Sequence, residues 1–300
     1  MEPLFFVPFF EEKHWGGSNL ASYFGKYPEG IRIGESWEVS PVQYRQTFVR
    51  SGEFAGNMVS ELFKRNRELF GIDTPYFPFV IKILDVDSQC PVMIHGGGMK
   101  NDAGQTEGLY VIRAEEGSHI IAGTKLDNSL ELFNAIAQET IMDSADVIET
   151  KKGDCFVVPA GVLHSIGAGH IIYEISSPLR ESSQIYDWGR YSENNIESVL
   201  DSFKFGKTIG KAERKELLPG VTRLIRSELF SLDEIDATVE VKGKSSGVFN
   251  VYTALGRGVV TVEDSSYKYN SGDTFIITAN TEEWTLTGGT LLKAYPPLQI

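Results

Sequence analysis

A chain of 300 residues with 41% hydrophobic and 23% charged side chains has the composition of an ordinary globular protein, with room for one or two domains. Its net charge of −13 argues against nucleic acid or an anionic membrane as partner, but not against a small anion held by a local cluster of Lys and Arg. Two cysteines, Cys90 and Cys155, make no disulfide framework, so a reducing cytoplasm is the expected compartment.

The opening run Leu4-Phe5-Phe6-Val7-Pro8-Phe9-Phe10 is apolar but short, is broken by proline and follows Glu2. It reads as neither a signal peptide nor a membrane span. Trp15-Gly16-Gly17 is a turn. In residues 31–40, Ser36, Glu38 and Ser40 share one face of a strand, with Trp37 and Val39 on the other. Val59, Leu62, Phe63, Leu69 and Phe70 have helical spacing, with Gly71 as the stop. The next strand, residues 77–85, carries Lys82 among apolar neighbours. The lysine is either an edge residue reaching for water or a cation aimed inward at an anion.

Met93 and His95 fall on one strand face because the strand period is two. Glu107 follows a glycine-rich loop at Gly96-Gly97-Gly98. Asn128 and Glu131 have capping-box spacing ahead of a helical stripe of Leu132, Phe133, Ile136 and Ile141. Gly153-Asp154 then opens a short strand, Pro159-Ala160-Gly161 makes a second turn, and His164 begins the next strand. Residues 171–175 form a strand holding a single carboxylate, Glu174. It is either a general base or the partner of a cation that holds the fold closed. Ser192 caps a helix carrying Ile196, Val199, Leu200 and Phe203. A polar connection with Lys207, Lys211, Arg214 and Lys215 follows, dividing the chain into domains at 1–215 and 216–300. Ser271-Gly272-Asp273 repeats the Gly-Asp strand motif, but no histidine occurs after His170. The second unit is therefore expected to hold no metal.

His95, Glu107 and His164 make a two-histidine, one-carboxylate set. Such donors suit a catalytic Zn2+, one per chain, or another first-row divalent ion, with a position open for water or substrate. The spacing Gly-Asp-x4-Pro-x-Gly-x2-His resembles the second motif of the cupin family. With Trp15-Gly16-Gly17, Gly34-Glu35-Ser36-Trp37-Glu38, Lys82-Ile83-Leu84-Asp85, Thr106-Glu107 and Tyr186-Asp187-Trp188-Gly189-Arg190, the chain resembles the short form of the type I mannose-6-phosphate isomerases. The resemblance implies a mainly β fold: two cupin-like (jelly-roll) β-barrels, the first metal-bearing, with helical insertions in the N-terminal half. It also implies a metal-dependent aldose–ketose isomerase acting on a small phosphorylated hexose.

In that family a glutamine, a histidine, a glutamate and a second histidine bind zinc. The last three carry over to His95, Glu107 and His164, while Met93 stands where the glutamine would be. Gln184 stands where the family has an arginine, with Arg180 four residues upstream, and Gly96 replaces a proline. Glu174, Lys82 and Arg180 are the candidate catalytic residues. Lys82, Arg180, Gln184 and Arg190 are the candidates around the sugar phosphate, Arg190 being equally suited to pair with Asp187. Three readings compete: interconversion of mannose 6-phosphate and fructose 6-phosphate, the same chemistry on another sugar, and a non-catalytic sugar-binding cupin. The oligomeric state is left open.

Overall fold

The structure is a computed structural model that describes residues 1–26, 30–96, 104–178, 182–190 and 196–297. Arg180, Ser192, Gly97 and Gly98 lie outside the described residues. The fold is mainly β, as expected, and among the described residues the strands form four sheets.

A six-stranded sheet runs Cys155–Val158, Glu107–Ala114, His170–Ser176, Val80–Val86, Glu35–Val39, Phe9–Glu11. A five-stranded sheet runs Ser182–Tyr186, Val92–His95, His164–Ile166, His119–Thr124, Ala145–Glu149. Strand alternation gives each sheet two chemically distinct faces. Leu84, Val86, Leu109, Val111 and Ile172 of the first pack on Ile120, Ala122 and Ile166 of the second. The outer face of the five-stranded sheet, including Val92 and Ile94, is covered by Leu132 and Ala135 of the helix Ser129–Ala137 and by Val199 and Phe203. Asn128 caps that helix as its spacing implies, its side chain accepting the Glu131 N–H at 3.0 Å. Phe133 departs from the expected stripe and is exposed, because Leu132, Ala135 and Ile136 make the covering face instead.

The back of the six-stranded sheet (Ile81, Ile83, Tyr173, Ile175) packs on Leu4, Phe6, Leu232, Val251 and Ile276 of an eight-stranded sheet. That sheet takes six strands from residues 215–295 and two, Leu4–Val7 and Phe48–Val49, from near the N-terminus. Pro8 divides the opening apolar run. Leu4 pairs with Ile276 on one side of it, while Phe9 pairs with Trp37 on the other. Proline cannot donate to a ladder, so it marks the place where the chain leaves one sheet for another. A four-stranded sheet covers the far face of the eight-stranded one.

Two local departures from the sequence reading have physical causes. The helix expected over residues 58–70 ends at Arg65, where Asn66 at φ −130° breaks it. A 3-10 turn, Arg67–Leu69, completes the stretch. Gly71 does act as the stop: its φ is +66°, and a Cβ there would lie 1.9 Å from the Gly247 carbonyl oxygen. In Glu35–Val39 the register slips between Trp37, opposite Lys82, and Val39, opposite Ile81. This bulge makes Glu38 the extra residue and turns Val39 to the face opposite Trp37, into the core behind the sheet. Glu38 accepts from Ser36 Oγ at 2.5 Å and from Thr274 Oγ1 at 3.1 Å, and pairs with Lys26.

Candidate active site

The front faces of the five- and six-stranded sheets enclose a cavity of about 490 Å³. The five-stranded sheet contributes Met93 and His95, His164, and Ser182 and Gln184 from three adjacent strands. His164 and Gln184 flank Met93 in register, and Ser182 lies opposite His95. The six-stranded sheet contributes Glu107, Glu174, Lys82, Trp37 and Glu35. The alternation that put Met93 and His95 on one face by sequence is therefore what turns both into the cavity.

His95, Glu107 and His164 converge. Their ligand atoms all lie within 4.8 Å of one another, and the three side chains are buried. His95 Nε2 is 2.9 Å from Glu107 Oε1, and His164 Nε2 is 3.5 Å from Glu107 Oε2. The other ring nitrogens are held from outside. His164 Nδ1 sits 2.9 Å from the Val162 carbonyl, an acceptor only, so Nδ1 carries the proton and Nε2 turns a lone pair inward. His95 Nδ1 is 2.9 Å from Ser182 Oγ, and Gln105 Nε2 donates to Glu107 Oε1 at 2.9 Å. Outer contacts of this kind orient metal ligands.

The charges reinforce one another. Burial, with His95 beside it, pushes the His164 imidazole down to about 4, so it stays neutral. Burial also opposes charge on His95, but Glu107 outweighs it and raises that imidazole. Glu107 is itself pushed up by burial, yet the two histidines and Lys82 hold it well below the usual carboxylate range.

Lys82 and Glu174, singled out separately by sequence, are partners. Lys82 Nζ lies 2.8 Å from Glu174 Oε1, on neighbouring central strands. Lys82 is therefore not a snorkelling edge residue: it is 6% exposed and lies 4.8 Å from the Trp37 ring centroid. Burial and the Glu107 charge push the Glu174 carboxyl up to about 7. Burial opposes the Lys82 charge, but Glu174, Glu35 and Glu107 outweigh it and keep the ammonium protonated. Cys90 also lines the cavity, and burial pushes its thiol well up, which removes it as a nucleophile.

Arg190 does not line this cavity. Its Nη1 is 3.2 Å from Asp187 Oδ1, and His14 Nε2 approaches the same oxygen at 3.5 Å. Sequence reasoning missed Lys13, His14 and Arg45, which do line it. Lys13 and His14 precede the Trp15-Gly16-Gly17 turn, and that adjacency was a usable signal. Arg45 had none, because a loop brings it back over Trp37.

No protein-family model matches the chain. It is 30% identical over 302 residues to the mannose-6-phosphate isomerase of Streptococcus mutans, covering 96% of each chain. To the mannose-6-phosphate isomerase ManA of Bacillus subtilis it is 28% identical over 306 residues, again covering 96% of each. A crystal structure of the mannose 6-phosphate isomerase from Bacillus subtilis superposes with a TM-score of 0.91 at 27% identity, over 98% of this chain and 99% of that one. The chain belongs to the mannose-6-phosphate isomerase family.

Proposed function

We propose that the chain interconverts mannose 6-phosphate and fructose 6-phosphate, with Glu174 moving a proton between C1 and C2 beside a divalent metal held by His95, Glu107 and His164. The observation that carries this is the meeting, in one cavity, of that donor set with the buried Lys82–Glu174 pair. The donor set fits a metal: two imidazoles and a carboxylate within 4.8 Å, with one histidine kept neutral and tautomerically fixed. Two nitrogen donors and one oxygen donor suit zinc or another first-row divalent ion. A metal bound there would supply Lewis-acid stabilisation of the negative charge that develops as the enediol forms.

The remaining steps belong to the chain. Glu174 as carboxylate takes the proton from C2 of the aldose and returns it to C1 of the cis-enediolate, while the O2 hydroxyl proton passes to O1, so no electron leaves the sugar and no co-reactant is needed. A carboxyl raised to about 7 is poised for both directions at neutral pH. Lys82 remains an ammonium and donates to the oxygen that gains charge as the enediol forms, while holding Glu174 in place. Leu84 and Ile166 complete the apolar part of the wall.

The test is a coupled isomerase assay on protein stripped by chelator and then reloaded. Stripping should abolish turnover and zinc should restore it. Full activity without metal would sink the metal assignment. Metal-loaded protein inert on mannose 6-phosphate but active on another hexose would move the substrate and leave the chemistry standing.

A further inference from the structure

The mouth of the cavity carries a charged cluster that the proton transfer leaves unused. Arg45 grips Glu11 with two nitrogens, Nε to Oε2 at 2.6 Å and Nη2 to Oε1 at 2.7 Å. Lys13 Nζ lies 3.0 Å from Glu11 Oε1 and 3.6 Å from Glu35 Oε2. The Arg45 guanidinium is 5.2 Å from the Trp37 ring, the same indole that Lys82 approaches at 4.8 Å. Trp37 stands opposite Lys82 in register, and Lys82 opposite Glu174. Trp37 is therefore two strands from the proposed base, about 10 Å at the usual strand spacing. An extended six-carbon sugar phosphate with its C1–C2 end at Glu174 would place its phosphate near this mouth.

Exposure decides which cations can receive it. The Lys82–Glu174 pair has side chains 8% and 5% exposed, and separating them would strand a buried charge. Arg45 and Glu11 are 36% and 22% exposed, and Lys13 is 27% exposed. Ion pairs at such exposure are partly screened by solvent, so Arg45 and Lys13 can exchange Glu11 for another anion without stranding a buried charge. A guanidinium fork that fits two carboxylate oxygens fits two phosphate oxygens equally well, and an ammonium beside it adds a third contact.

We propose that Lys13 and Arg45 form the phosphate subsite of the reaction above, and that Glu11 is a resident carboxylate which the incoming phosphate displaces. The assignment rests on the proposed substrate and names the residues that read its charged end. Without substrate, Glu11 keeps two long cationic side chains ordered. Binding then exchanges one bidentate partner for another, so Glu11 competes with the phosphate for the same two cations.

The test measures steady-state kinetics and calorimetric binding of mannose 6-phosphate, inorganic phosphate and unphosphorylated mannose to the metal-loaded full chain. Arg45→Gln should raise the KM for mannose 6-phosphate about tenfold with kcat little changed, and weaken inorganic phosphate in parallel. Mannose binding should not move, and Arg45→Lys should restore part of the loss. Glu11→Gln should act in the opposite sense, tightening both phosphates, an outcome that a merely structural pair would not give. An unchanged KM in Arg45→Gln, or weakened phosphate binding in Glu11→Gln at an unaltered melting temperature, would overturn the subsite while leaving the isomerase reading intact. Wild-type protein that turns over only unphosphorylated sugars would overturn both.

Discussion

At Gly153-Asp154 the glycine has φ +89°, the aspartate accepts the Lys151 N–H at 2.8 Å and its carboxylate pairs with Lys211 at 2.7 Å. At Gly272-Asp273 the glycine has φ +87°, the aspartate accepts the Asn270 N–H at 2.8 Å and pairs with Arg50 at 2.7 Å. The two turns are nearly superimposable in chemistry, and each leads into a strand of a large sheet. Behind the first, three histidines, three carboxylates, two lysines and an arginine line a cavity. Behind the second the interior is filled. Tyr252 and Tyr269 stack on Phe275 at 5.4 and 5.8 Å, and Trp284 Nε1 donates to Tyr252 OH at 3.1 Å. The turn sets where a strand begins, while the inward-facing residues decide whether the interior does chemistry or packing.

The largest effects should separate the two interiors by what is lost. His164→Ala should abolish both bound metal and turnover, since His95 and Glu107 alone leave two ligands. Metal content by atomic emission beside the isomerase assay checks this, and full metal with full turnover would remove His164 from the site. Glu174→Gln should keep the metal and lose roughly 10²–10⁴-fold in kcat. With the Glu174 carboxyl near 7 and the carboxylate as base, kcat/KM should climb about tenfold per pH unit below that value and level off above it. The stability sign is opposite. A carboxyl raised on folding holds its proton where the unfolded chain has released it, so its contribution falls as pH rises from the ordinary carboxylate value to about 7. Chemical denaturation of wild type and Glu174→Gln across that range should show the difference.

Phe275→Ala addresses the other interior. It removes a fully buried ring from the stack and should cost about 3–5 kcal/mol in unfolding free energy, with kcat of the surviving folded protein nearly unchanged. Loss of kcat without loss of stability would mean that the second interior communicates with the first. Smaller still is the pair of turn substitutions. Alanine at a left-handed glycine costs about 1–2 kcal/mol on backbone grounds alone. At Gly153 the new Cβ would meet only the Arg214 Nη1 tip at 3.2 Å, but at Gly272 it would fall 2.5 Å from Lys26 Cε and 2.8 Å from Phe24 Cβ. Gly272→Ala should therefore lower the melting temperature more than Gly153→Ala, and equal shifts would show that Lys26 and Phe24 move aside freely.

Local pattern carried much of this molecule. Strand period placed Met93 with His95, and turn chemistry exposed the echo at Gly272-Asp273. Apolar surroundings marked Lys82 and Glu174 as unusual before their mutual pairing was visible. What local pattern could not carry was pairing between distant segments. Leu4–Val7 reads as any short strand, and nothing in it announces a partner at Thr274–Ile277. The bulge at Glu38 breaks alternation by one residue, which a period-two reading assumes away. Arg45 reaches the site from a loop whose path is set by tertiary contacts, so its role at the cavity mouth was invisible.

The finest comparison lies within the site itself, between the three donors present and the position beside them. Met93 shares its strand face with His95, lines the cavity, and sits in register between His164 and Gln184. A thioether is a poor partner for zinc beside imidazole and carboxylate. Glutamine has nearly the same length, so Met93→Gln should fit with little strain and bring an amide oxygen to the same place. The expected result is slower loss of metal to a chelator, by about the tenfold typical of one supporting contact. Turnover should rise only where metal retention limits it, which saturating zinc in the assay would reveal by erasing the gain. An unchanged rate of metal loss would mean that the residue 93 side chain does not reach the metal. The tenfold effect is smaller than that of His164→Ala because residue 93 adds a fourth contact, whereas His164 supplies one of three. Tighter metal with no turnover of any phosphorylated hexose, even with Gln184→Arg added, would instead favour the non-catalytic sugar-binding reading.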